Sequence, residues 1–297
     1  MKRTDWFRLI ALSTVWGGSF LFFRILATEL PPLTTVLSRV AIGAFAIFLY
    51  LRARGVEIRI PRAQWGRLAV LAILNNVVPF SLFAWGESRV SSGTASILNA
   101  MTPMFVVLIT GLVLCTEKLT WPRVLGVLCG IAGVAVLVGP DALVGADLLG
   151  QAACLGAALC YGFALPWGRR ITGLNPPVLA MAQLTAATLI LLPLVMLFDR
   201  PWSLANPDVI GWVAIAGLGL LCTGLAYIIF FAVLASAGAT NLSLVTLMVP
   251  VSALLLGRVV LDEPITSGAL GGMALIALGL AAIDGRLLRW ISRCARL

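Results

Sequence analysis

Two sets of polar residues, repeated at one spacing inside apolar stretches, are the part of this chain that could do chemistry. Ser96, Asn99 and Pro103 form the first set, and Ser243, Thr246 and Pro250 the second, about 147 positions later. On a helix, Ser92, Ser96, Asn99 and Pro103 fall on one stripe, and Thr240, Ser243, Thr246 and Pro250 on a related one. Each proline removes an amide donor and displaces the carbonyl four residues earlier, those of Asn99 and Thr246. A side-chain amide or hydroxyl then meets a freed carbonyl at one spot, which suits holding a solute by hydrogen bonds. Bond-making chemistry finds no such support. The chain has no His, and its six Cys stand in no metal-ligand spacing. No nucleophile–His pair, Walker-type loop or carboxylate pair within an apolar stretch is present. These residues describe a binding path, not an enzyme, and call for no cofactor and no metal.

A second group of candidates lies in neighbouring apolar runs. Asn75, Asn76 and Pro79 match Thr223 and Tyr227 in place, and Trp16, Ser19 and Tyr161 sit beside glycines. An indole or phenol there can stack on a solute and keep one polar handle. Helix packing is the competing account of all these residues, since small and hydroxyl side chains also join helices in lipid. Arg39 stands about seven residues into its run, roughly 10 Å deep at ~1.5 Å per residue. A buried Arg must pair, snorkel or meet an anionic solute. Glu87 is its candidate partner in a structural ion pair, and a substrate carboxylate is the alternative.

The elements that must position these residues are membrane helices. Of 297 residues, 61% are hydrophobic and only 11% charged, against about 45–50% and about 25% in soluble domains. Ten runs approach the ~20 residues needed to cross a hydrocarbon core: near 7–27, 32–51, 66–87, 91–114, 121–139, 148–166, 177–198, 209–232, 239–260 and 265–285. The chain also says much of this twice. After each repeated proline come a glycine (Gly111, Gly257), an acidic turn (Thr116 to Thr120; Asp262 to Thr266) and glycines seven apart (Gly126 and Gly133; Gly272 and Gly279). The expectation is an all-α polytopic membrane protein with five-helix repeats at 1–140 and 141–297.

Charge orients the chain. With the N-terminus in the cytoplasm, sixteen of the twenty-one Lys and Arg fall on the inner side, in segments holding Lys2 to Arg8, Arg52 to Arg67, Lys118 and Arg123, Arg169 and Arg170, and Arg286 to Arg296. Only Arg24, Arg89, Arg200 and Arg258 fall outside. This is the positive-inside pattern with both termini cytoplasmic, and it explains the net charge of +9 without a nucleic-acid partner. Because five is odd, the second repeat enters from the opposite side. The repeats are therefore inverted, the arrangement that underlies alternating access.

Trp16-Gly17-Gly18-Ser19-Phe20 ending at Arg24, Pro32 with Arg39, Pro103 before Thr116-Glu117-Lys118-Leu119-Thr120, and Gly126 with Gly133 resemble one EamA repeat of the drug/metabolite transporter superfamily. Tyr161-Gly162, Pro250, Asp262-Glu263-Pro264 and Gly272 with Gly279 resemble a more diverged copy. Within the superfamily the chain looks most like the YddG-type amino-acid exporters. The resemblance implies ten helices and export of small metabolites, commonly amino acids, across a bacterial inner membrane. Its partners would be a small-molecule substrate and the lipid bilayer, with no obligatory protein partner. A passive pore, or an exporter of drug-like or cationic compounds, is the alternative. Orientation is checked by thiol labelling in a cysteine-free background. A cysteine near residue 60 or 290 should react with an impermeant reagent only when the inner face is accessible, and one near 204 should react in intact cells. Labelling at 60 in intact cells contradicts the assigned orientation.

Overall fold

The computed structural model describes residues 2–139 and 146–284. Pro140 and Asp141, and Arg286, Arg289, Trp290, Arg293, Cys294 and Arg296 of the basic C-terminal segment, lie outside the described residues, as do the side chains of Asp147, Thr240 and Asp284. Among the described residues the chain forms ten helical spans: α1 (Arg3–Leu26), α2 (Pro32–Ala53), α3 (Arg62–Gly86), α4 (Ser92–Val113), α5 (Trp121–Val138), α6 (Ala146–Gly168), α7 (Pro176–Asp199), α8 (Val209–Ala237), α9 (Leu244–Leu261) and α10 (Ser267–Asp284). The first nine are long and apolar enough to cross a bilayer, while the apolar part of α10, Ser267–Ile283, is shorter. Helices are forced here because lipid offers no partner to an unpaired backbone N–H or C=O. Their starts follow local chemistry. Pro32, Pro122 and Pro176 occupy first turns, where a missing N–H costs nothing. Asp208 and Ser91 accept the Gly211 and Thr94 amides at 2.7 and 3.2 Å as N-caps.

The packing obeys the repeat. α1 lies against α8 and α9, as α6 lies against α3 and α4. α2 packs on α8 as α7 packs on α3, and α2–α7, α4–α9 and α5–α10 each pair a helix with its own equivalent. Exchanging the halves maps each of these contacts onto another of them or onto itself, as a pseudo-two-fold axis requires. With five crossings per half, equivalent helices run in opposite directions. We call the end carrying Arg54, Glu117 and Arg169 the basic face, and the end carrying Arg24, Glu87 and Glu263 the opposite face.

The glycines seven apart have a clear use. A Cβ on Gly133 would come 2.8 Å from the Gly272 carbonyl oxygen, and one on Gly126 would come 2.6 Å from that of Gly279. α5 and α10 thus touch backbone to backbone, the close approach that small residues permit in membranes. Gly17 and Gly162 repeat the device between the central helices. Their Cβ atoms would meet Ser252 Cβ at 2.7 Å and Phe105 Cβ at 2.9 Å. The Trp16-Gly17 step is therefore packing on its glycine side, while Trp16 turns onto Phe230 with ring centroids 5.8 Å apart.

At two of the departures from α geometry the repeat shows again. Residues Ile73–Val77 of α3 and Gly217–Leu225 of α8 wind as π-helix at matching places, an irregularity that tends to mark functional sites. In α3 the cause is Pro79, which cannot bond to the Asn75 carbonyl. In α8 glycines 217, 219 and 224 permit the wide turn, and the Thr223 hydroxyl donates to the Leu218 carbonyl at 3.0 Å. The two repeated prolines act differently from each other. Beside Pro103, α4 breaks at Ala100–Met101, whereas α9 runs unbroken through Pro250 and its break comes earlier, at Ser243. Equal carbonyl displacement at Asn99 and Thr246 is thus not what the structure has, because a proline kink is completed or straightened by the packing around it.

The glycine contact yields a stability test. Gly133→Val should lower the stability of the purified protein by about 1–3 kcal/mol through overpacking. Gly66→Ala, where nothing lies within 4 Å of an added Cβ, should leave it unchanged or slightly raised. Thermal unfolding in detergent reads both.

Candidate functional site

The polar residues converge at mid-helix between α2, α3, α7 and α8. Arg39 on α2 is 6% exposed, and its Nε donates to the Thr223 hydroxyl at 3.1 Å. Its guanidinium lies 3.8 Å from the Phe80 ring centre and 5.0 Å from that of Phe23. Gln183 donates to the Tyr227 hydroxyl at 3.0 Å, and Asn75 and Asn76 reach toward the same hydroxyl. Tyr161 stands near Arg39 and stacks on Phe83 at 6.3 Å. Arg39, Asn75, Asn76, Tyr161, Thr223 and Tyr227, from distant parts of the sequence, thus share one site. The π turns hold three of them. Asn75, Asn76 and Thr223 all lie within these turns.

The expected ion pair of Arg39 with Glu87 is not formed. No oxygen of Glu87 lies within 4.0 Å of Arg39, and the Glu87 carboxyl, fully buried, closes no hydrogen bond among the described residues. The reason is geometric, since Thr223 and the Phe80 ring hold the guanidinium. Arg24 lies on the same side of the molecule. Its Nη1 donates to the Glu87 carbonyl and its Nε lies 3.9 Å from Glu263, while Glu29 accepts the Asp208 amide at 3.3 Å.

The repeated stripe divides. Ser96 is buried and donates to the Gly93 carbonyl of its own helix at 2.7 Å, a packing position in this conformation. Ser19 and Pro79 are buried too, and Ser243 is exposed. Thr246 and Pro250 border a small groove with Ile97, Ala100 and Met273, apart from the Arg39 cluster. The Asn99 side-chain oxygen is buried without a hydrogen bond among the described residues, and its backbone carbonyl accepts from Thr102 at 2.8 Å. Pro103 is half-buried beside it. Gln183 was missed from sequence, although an amide in an apolar run was the signal. The Phe23 and Phe80 rings gave none, being indistinguishable from core.

A cavity of about 470 Å³ lies between α2, α7 and α8 in the half nearer the basic face. Ile47, Tyr50, Arg54, Pro177 and Phe231 wall it, and Tyr227 joins it to the polar cluster. Polar contacts tie helices together at the opposite face. Asp262 ends α9 in a left-handed turn at φ +53°, a conformation rare for a non-glycine residue. That turn places Glu263, which accepts the Ser92 amide at 3.1 Å and the Ser92 hydroxyl at 2.6 Å. Asp199 accepts the Thr34 amide and hydroxyl at 2.8 and 2.7 Å. At the basic face Cys115, at φ +51°, precedes Glu117, which pairs with Arg123 at 3.0 Å and Arg169 at 3.5 Å. Glu117 is the more exposed of the two glutamates.

Among the described residues no group of His, Cys, Asp and Glu could hold a metal. The Asn76 amide is 0% exposed, and neither of its polar atoms closes a hydrogen bond among the described residues. Such burial is destabilising by about 1–3 kcal/mol and persists where function needs the group. Asn76→Leu should therefore raise thermal stability while lowering solute exchange. Loss of stability with exchange intact would make Asn76 a packing residue.

Two stretches, residues 6–139 and 148–283, match the model of the EamA-like transporter family. The chain is similar to a protein of Streptantibioticus cattleyicolor named a probable terminal-alkyne amino-acid exporter, at 28% identity over 292 residues, covering 97% of this chain and 95% of that one. It is also similar to the uncharacterised transporter YoaV of Bacillus subtilis, at 26% identity over 279 residues, covering 92% and 94%. One solved crystal structure shares the fold, with a TM-score of 0.66 at 22% identity over 93% of this chain and 96% of that chain. The family model matches twice, once over each five-helix half. The protein belongs to the EamA-like transporter family and is a multi-pass membrane transporter of the drug/metabolite transporter superfamily.

Proposed function

We propose that this transporter exports amino acids or similar small metabolites across a bacterial inner membrane, with both termini cytoplasmic, by alternating access to one central site. The observation that carries the reading is the unequal state of the two faces. The cavity enters from the half nearer the basic face and reaches Tyr227, while Glu263, Ser92 and Arg24 join four helical segments at the opposite face. With the basic face cytoplasmic, this is an inward-facing carrier waiting for internal solute. The amide, hydroxyl and phenol groups of Asn76, Thr223, Gln183 and Tyr227 suit a small polar solute, and the aromatic rings beside them suit an apolar side chain. The relative named as an amino-acid exporter supports the substrate class.

A passive pore fits less well, because a pore needs a lumen continuous through both faces. A cation exporter fits less well too, because the charge at the cluster is the Arg39 guanidinium. Counterflow tests the reading. Liposomes holding purified protein and loaded with an unlabelled amino acid should transiently concentrate external label of the same amino acid, across a panel of aliphatic, aromatic and polar amino acids. Label that only equilibrates for every amino acid would contradict a carrier of this class.

A further inference from the structure

We propose that Arg39 is the anchor for a carboxylate, and that the solutes carried are monocarboxylates with a compact apolar or aromatic body. This rests on the reading of the central cluster as the substrate site, and it names the contact that decides what enters. The flat face of the guanidinium is covered by Phe80 at 3.8 Å from the ring centre, with Phe23 at 5.0 Å. Its Nε is held by the Thr223 hydroxyl at 3.1 Å. That hydroxyl spends its own proton on the Leu218 carbonyl at 3.0 Å, so it can only accept from Arg39, and the guanidinium is fixed in rotation. What remains is the edge with the two terminal nitrogens. Among the described residues neither makes a hydrogen bond or an ion pair. This is the fork that takes a carboxylate through two parallel hydrogen bonds.

The groups around that edge do not supply the missing anion. Tyr161, Cys222, Tyr227 and Glu87 face Arg39 from α6, α8 and the end of α3. The first three are neutral hydroxyls and a thiol. Glu87 is the one acid among them; it lies beyond ion-pair distance, and Arg24 bonds to its backbone carbonyl rather than to its carboxyl. A cation that is 6% exposed and lacks an anionic partner is costly in lipid. A ligand carboxylate, arriving by the cavity that reaches Tyr227, would remove that cost. A solute lacking the carboxylate would leave it in place. The fork therefore selects as well as binds. Tyr227 stacks on Phe231 with ring centroids 6.0 Å apart, and both rings line the cavity, which suits an apolar or aromatic body for the solute.

The test compares acids with their decarboxylated partners on the intact protein. Leucine and phenylalanine are set against isopentylamine, phenethylamine and the two amino-acid amides, as competitors in counterflow and as stabilisers of the purified wild-type protein against heat. The acids should act at concentrations at least about tenfold lower than the amines and amides. Arg39→Gln keeps a donor for Thr223 and removes the charge; it should fold, and should lose the preference for acids. Amines or amides as effective as the acids in the wild type, or a preference unchanged in Arg39→Gln, would overturn the proposal. Protein that the acids stabilise and the amines do not, yet that exchanges no amino acid, would sustain the Arg39 site and sink the export reading. Exchange of amino acids with equal competition by amines would do the reverse.

Discussion

A positive charge buried deep among membrane helices is the constraint around which the centre of this transporter is arranged. An Arg at the middle of a membrane helix is unfavourable by about 2.5–3.5 kcal/mol on insertion scales. Arg39 is tolerated because its surroundings are specialised. Gly43, one turn further along the same face of α2, lets α8 come so close that an added Cβ would lie 2.8 Å from Thr223 Cβ. That approach, with the wide π turn of α8, brings the Thr223 hydroxyl onto the guanidinium. Phe80 covers the flat face, and its position follows from the Pro79 that widens α3. A glycine, a proline and two irregular turns thus serve one side chain.

The second organising fact is that both halves contain the same parts in different states. Each half turns sharply after its fourth span through a left-handed non-glycine residue, Cys115 or Asp262, and then presents a glutamate. Each glutamate faces an arginine near the end of the first span of a half, Glu117 with Arg169 and Glu263 with Arg24. Glu263 also holds Ser92 and is largely buried, while Glu117 is more open to solvent. α4 is broken beside Pro103 where α9 is continuous through Pro250. Two conformations of one unit, present together in one molecule, are what an inverted repeat needs for alternation. If the halves exchange states, the closed face opens and the open one closes. The glycine seam of α5 with α10 maps onto itself under that exchange.

Much of this was legible in the sequence, because membrane helices are set by length, apolarity and charge bias, which survive without tertiary information. The ten spans and the two repeats follow from such local features, as do the repeated glycines and the matching places of Asn76 and Thr223. What was not legible depends on how each helix is rotated. Glu87 looked like the partner of Arg39, but a neutral hydroxyl from α8 and an aromatic ring took its place. Ser96 shared a stripe with Asn99, yet turned its hydroxyl back onto its own helix. Thr246 and Pro250 kept the spacing of their counterparts and still face a different groove. Spacing reports which residues are equivalent in the repeat; it does not report which state each half occupies.

The central claim is that the two faces open in turn, and paired distances measured together test it most directly. One spin-label pair would span the opposite face at Ser88 and Thr266, and a second would span the basic face at Thr120 and Ala235, all exposed positions related by the repeat. Distances are recorded in lipid nanodiscs with and without an amino acid that supports exchange. The account predicts opposed changes, so that any population with a lengthened distance at Ser88–Thr266 is matched by a shortened one at Thr120–Ala235. Faces that lengthen together, or distances that stay fixed while solute is exchanged, would contradict it.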